Sequence, residues 1–110
     1  MKFLALMIGS VMAMTALQAR ALDASAPSAP AVAITKFAFT PKEITVAPGT
    51  KIVWTNKDET PHTVTSADKQ LASKALDTED KFEHVFASEG DFSYFCTLHP
   101  FMTGVVHVRK

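Results

Sequence analysis

The residues equipped for chemistry lie in one run near the C-terminus: Cys96, Thr97, Leu98, His99, Pro100, Phe101 and Met102. A thiol, an imidazole and a thioether follow one another there, with two residues between successive donors. Soft sulfur holds Cu(I), and imidazole accepts either oxidation state, so the set suits copper. It lacks one member. A blue-copper plane takes a second imidazole, with Met as a long, weak axial donor. His62, within Thr60-Pro61-His62-Thr63-Val64, is the upstream candidate. It stands 34 residues before Cys96, so only a tertiary fold can bring the two together.

Each donor alone has a plainer reading, Met102 as core filler and Cys96 as a small buried hydrophobe. Their joint placement around His99 outweighs those readings. Of five methionines, Met1, Met7, Met12 and Met14 fall in the N-terminal apolar segment, which leaves Met102 as the one beyond it. Cys-x-x-His also serves zinc, but zinc takes Cys, His and carboxylate donors, and Met102 argues against it. His84 shares a face with Phe82 and Phe86, and His107 alternates with Val106 and Val108. Neither forms a His-x-His pair that would suggest a second copper centre.

A chain of 110 residues has room for one domain. Residues 1–21 read as a secretory signal, with Lys2, an apolar run from Phe3 to Leu17, and Ala19-Arg20-Ala21 as a small-x-small cleavage site. Cleavage after Ala21 removes Lys2 and Arg20 and leaves nine basic against eleven acidic residues, a net charge of −2; cleavage after Ala19 is the alternative. Such a balance gives no footprint for nucleic acid or an anionic membrane. A lone Cys in an exported protein is otherwise an oddity, and metal ligation resolves it. Residues 22–31, rich in Ala, Ser and Pro, read as a linker.

Positioning falls to the remainder, residues 32–110. Val32, Ile34, the Phe37/Phe39 pair, Ile44/Val46 and Ile52/Trp54 alternate with polar neighbours, as half-buried strands do. Pro48-Gly49 suits a turn with Pro second and Gly third. Asn56-Lys57-Asp58-Glu59 reads as a polar loop leading to His62. Residues 67–80 break the alternation and suit a short helix or an irregular excursion, with Asp77, Glu79 and Asp80 as a solvated face. Phe82/His84/Phe86, Phe92/Tyr94/Cys96 and Val106/Val108 resume it. Short strands at this spacing predict an all-β sandwich.

Val46-Ala47-Pro48-Gly49-Thr50, Trp54-Thr55-Asn56, Pro61-His62, Gly90-Asp91-Phe92-Ser93-Tyr94 and the loop from Cys96 to Met102 together resemble the cupredoxins. The spacing within that loop looks like that of the amicyanin group, which normally has proline where this chain has Leu98. The resemblance implies a Greek-key sandwich of about eight strands with one type 1 copper at one end. It implies His62, Cys96, His99 and Met102 as ligands. It also implies that the Asn56 amide points at the Cys96 sulfur while its side chain ties to Thr97. Pro61, Leu98, Pro100 and Phe101 would form an apolar surface around a solvent-reaching His99, the electron port.

The function so implied is single-electron transfer in the periplasm by a monomer. An amine dehydrogenase would be the donor and a c-type cytochrome the acceptor. The alternative is a copper-binding protein for homeostasis or delivery, although such a protein needs an exchangeable, often methionine-rich site. A thiol enzyme using Cys96 and His99 is a third reading, and no oxyanion-hole motif accompanies them.

Overall fold

The computed structural model describes residues 30–110. The expected signal segment, 1–21, lies outside the described residues, as does the expected linker up to residue 29. Among the described residues seven strands form: β1 (Ala31–Thr35), β2 (Ala38–Thr40), β3 (Glu43–Val46), β4 (Thr50–Asn56), β5 (Lys81–Phe86), β6 (Gly90–Phe95) and β7 (Thr103–Val108). One sheet has the order β2-β1-β4-β5 and the other β3-β7-β6. β1 runs parallel to β4 and β3 parallel to β7; the other neighbours are antiparallel. No helix among these is long and apolar enough to cross a membrane.

Alternation decides what faces inward. In β4, Ile52, Trp54 and Asn56 are buried; in β7, Gly104, Val106 and Val108 are. Tyr94 of β6 stands edge-on to Trp54 at 5.4 Å and to Phe39 at 4.7 Å, joining the two sheets through aromatic edges. Gly49 has φ +90° and the Thr50 amide bonds to the Ala47 carbonyl, so Pro48-Gly49 forms the expected turn.

The resemblance implies about eight strands, and the difference lies in the long connection between β4 and β5. That segment holds isolated bridges only: His62 with Leu76, Thr65 with Ala72, and Thr65 with Phe95. Residues 67–80 are therefore an irregular excursion and not a helix. Leu71 and Leu76 are each 1% exposed and pin it to the core.

The Phe37/Phe39 pair does not continue one strand, which corrects the alternation reading. Lys36 and Phe37 form the two-residue turn of the β1–β2 hairpin, with φ of 54° and 55°. Positive φ at both central positions belongs to the type I′ turn, whose usual residues are Asn-Gly. A side chain at such a φ costs roughly 1–2 kcal/mol per residue. What offsets that here is one carboxylate. Asp58 accepts the Lys36 amide at 2.6 Å and the Phe37 amide at 2.9 Å.

Away from the Cys96 end of β6, His107 of β7 lies between two carboxylates. Its Nδ1 is 2.7 Å from Asp91 and its Nε2 3.0 Å from Glu43, and Arg109 bonds to the same Asp91. Asp91 first and Glu43 second hold His107 above its ordinary 6.5. His107 and then Arg109 hold Asp91 below 3.8. A raised imidazole stabilises the fold in full below pH 6.5 and loses that contribution as pH rises through its folded value. Melting temperature is therefore expected to decline as pH rises above 6.5 through the raised folded value, and His107→Gln to flatten the slope. Parallel profiles for the two proteins would contradict the assignment. Asp91 has the opposite sign: its contribution is present above pH 3.8 and lost as pH falls through its depressed value.

Candidate metal centre

Two consecutive turns build the loop after β6. The His99 amide bonds to the Cys96 carbonyl at 3.2 Å, and the Met102 amide to the His99 carbonyl at 2.9 Å. The Cys96 amide then closes on the Met102 carbonyl at 3.2 Å. A spacing of three is the period of these turns, so each repeat returns a donor to the same side of the loop. Cys96 and Met102 end up buried, at 0% and 2% exposed, while Leu98 and Phe101 stand outside at 51% and 70%.

His62 arrives from the long connection. Its backbone pairs with Leu76 in both directions, at 3.1 and 2.7 Å, which fixes the segment beside the loop. Its Nδ1 is 3.8 Å from the Cys96 sulfur, and His99 Nδ1 is 3.7 Å from that sulfur. The three donor atoms lie within 4.8 Å of one another. A metal about 2.3 Å from a thiolate and about 2.0 Å from an imidazole nitrogen, at about 120° between them, holds S and N about 3.7 Å apart. The observed separations match that triangle. His62, Cys96 and His99 form a candidate metal site, and Met102 is nearby in the same buried cluster.

Three surrounding residues escaped sequence reasoning. Thr63 is the first. Its amide points at the Cys96 sulfur at 3.3 Å, and its hydroxyl oxygen lies 3.0 Å from the Thr97 hydroxyl and accepts the Thr97 amide at 2.8 Å. This is the role the resemblance gave to Asn56, and it is corrected here. Asn56 donates its amide to Asp80, and its side chain donates to the Thr60 and Leu76 carbonyls and accepts the Asp58 amide. It ties the approach to His62 together without touching the sulfur. Successive amides of an extended segment point to opposite sides, so with His62 N–H directed at Leu76, that of Thr63 faces Cys96.

Asp58 is the second. A carboxylate oxygen lies 2.9 Å from His62 Nε2. With Nδ1 turned toward the sulfur, Nε2 carries the proton and donates it to Asp58, leaving the Nδ1 lone pair free for a metal. Burial works against ionising Asp58, but the Phe37 amide, the His62 imidazole and the Lys36 amide outweigh it and hold its carboxyl below 3.8. Phe37 is the third, its ring edge-on to both His62 and His99. Phe37 has no polar group, and Asp58 looked like one more acid in a polar loop. Pro61 and Pro100 are exposed and His99 half-buried.

One buried thiol and two imidazoles at the end of a β-sandwich are the donor set of the blue-copper class. The chain belongs to the cupredoxin-like domain family, whose family model matches residues 4–108. It is 34% identical to amicyanin-alpha of Methylorubrum extorquens over 106 residues, 88% of each chain. Among solved structures it resembles a reduced Cu(I) form of an amicyanin variant, with TM-score 0.71, 29% identity, and 76% of this chain and 85% of that one covered. It also resembles a purple cupredoxin from Nitrosopumilus maritimus, with TM-score 0.68, 34% identity, and coverage of 73% and 99%. Relatives of this kind bind one copper, and family and fold together support a blue copper electron-transfer protein.

Proposed function

We propose that His62, Cys96, His99 and Met102 hold one type 1 copper, and that the chain carries single electrons between redox proteins of the periplasm. The observation that supports this most is the pair of sulfur–nitrogen separations, 3.8 and 3.7 Å, set by the protein's own hydrogen bonds. The bound metal supplies the Cu(II)/Cu(I) couple. The chain's part is to keep the donors still while the charge changes. Thr63 N–H directs a partial positive charge at the sulfur, Asp58 locks the plane of His62, and the turns at His99 and Met102 fix the loop. A thiolate and neutral donors leave a net charge of one or zero on the centre, so neither state buries a multiple charge.

Residues 1–21 as an export signal and 22–31 as a spacer complete this reading, although β1 already begins at Ala31. The partner surface is the apolar rim of Pro61, Leu98, Pro100 and Phe101 around half-exposed His99, with Phe37 added. Among the described residues, three of the four large exposed hydrophobics, Phe37, Leu98 and Phe101, stand there. By resemblance the donor is an amine dehydrogenase and the acceptor a c-type cytochrome. Thr97 joins through Thr63, and Asn56 through the loop it braces.

Voltammetry of the copper protein tests the proposal. A reversible one-electron wave that survives repeated cycling without metal loss is expected; release of copper on reduction would favour delivery instead. Asp58 gives the same experiment a second use. Its negative charge favours the more positive oxidation state, so Asp58→Asn is expected to raise the potential. The shift should be on the order of 50 mV, given about 59 mV per tenfold change for one electron and the known size of outer hydrogen-bond effects. An unchanged or lowered potential would contradict this role.

A further inference from the structure

The β1–β2 turn is built against local preference. Lys36 and Phe37 occupy the two positive-φ positions of a turn that favours Asn-Gly, and Phe37 leaves 41% of its surface exposed. A bulky side chain held in a disfavoured conformation, half in water, gains little as core packing. Such departures persist where the surroundings fix them, and they concentrate at functional sites.

The surroundings here belong to the metal centre. The carboxylate of Asp58 that accepts both turn amides also accepts His62 Nε2–H, so one group locks the hairpin tip and the imidazole in a single frame. From that tip the Phe37 ring meets His62 at 5.2 Å and 88° and His99 at 5.0 Å and 89°. The two imidazoles are themselves 4.9 Å apart and inclined at 63°. A ring perpendicular to both limits how far either can turn. The restraint matters more for His99. His62 is fully buried and hydrogen-bonded to Asp58, whereas His99 is half-exposed on a loop and bordered by rings, the third being Phe101 at 6.2 Å.

We propose that Phe37 is a positioning residue of the metal centre: its ring, aimed by the strained turn that Asp58 clamps, fixes the planes of His62 and His99 and shields the copper from water. The inference rests on the proposed ligand assignment. It makes the turn part of the site's rigidity as well as a connection between strands.

The test separates ring from turn. Phe37→Gly removes the ring and supplies the residue that positive φ favours, so the apo protein is expected to melt at or above the parent temperature. The same variant, loaded with copper and reduced, is expected to lose Cu(I) to bicinchoninate about 10-fold faster, the lower end of the effect of an outer partner on metal affinity. In the Cu(II) state its sulfur-to-copper absorption band is expected to shift. Phe37→Tyr keeps the ring and should restore both properties. Overturning results are a Phe37→Gly protein with parental copper release and spectrum, or one whose apo form melts well below the parent while its copper properties do not change. A parent chain that takes up no copper would overturn the ligand assignment itself, and this inference with it.

Discussion

Replacing Cys96 by Ser is expected to remove the intense blue band completely while the apo protein still folds. The band belongs to a thiolate bound to Cu(II), and a serine oxygen is a hard donor that does not substitute for soft sulfur. The fold has little reason to fail. Cys96 is 0% exposed and its sulfur accepts the Thr63 amide, a bond that a serine oxygen can also accept. Far-ultraviolet circular dichroism of the apo variant should overlay the parent, and its copper-loaded visible spectrum should be nearly featureless. A persisting blue band in Cys96→Ser would mean that another residue supplies the chromophore.

Gly104→Ala is expected to be the most destabilising single-methyl change in the β6–β7 hairpin. Gly104 faces Tyr94 directly across that pairing. A Cβ there would stand 2.5 Å from the tyrosine oxygen and 2.9 Å from Cε2, and closer still to Cζ. Tyr94 is only 2% exposed and is held between Trp54 and Phe39, so it has nowhere to retreat. Burial already pushes its hydroxyl up to about 12. Overpacking a tight core costs typically about 1–3 kcal/mol. At about 4–8 °C per kcal/mol for a domain of this size, the melting temperature should fall by about 4–24 °C. A fall of only a degree or two would show that the β6–β7 pairing yields more readily than the register implies.

The metal loop was legible because its information is local. Three donors at a spacing of three residues fold into two successive turns, and no distant contact is needed to put them together. His62 was legible by chemistry, since a thiol, an imidazole and a thioether require one more nitrogen. The strands were legible from period two wherever one face is buried, as in β4 and β7. The alternation misled at Phe37, where a two-residue turn preserves the apparent beat of Phe-Ala-Phe while carrying the first ring out of the core. Lys36-Phe37 gives none of the usual signals of a type I′ turn, because what holds it is Asp58, some twenty residues on. Thr63 was hidden for a related reason. The direction of a backbone amide depends on which side of the segment is paired, and the pairing with Leu76 is visible only in three dimensions.

X-ray absorption at the copper edge, recorded on the oxidised and the reduced protein, tests the central claim most directly. The account predicts one short sulfur and two nitrogens around the metal in both states, with only small changes in distance between them. A first shell without sulfur, or one that loses a nitrogen and rearranges on reduction, would contradict a pre-positioned centre built from His62, Cys96 and His99.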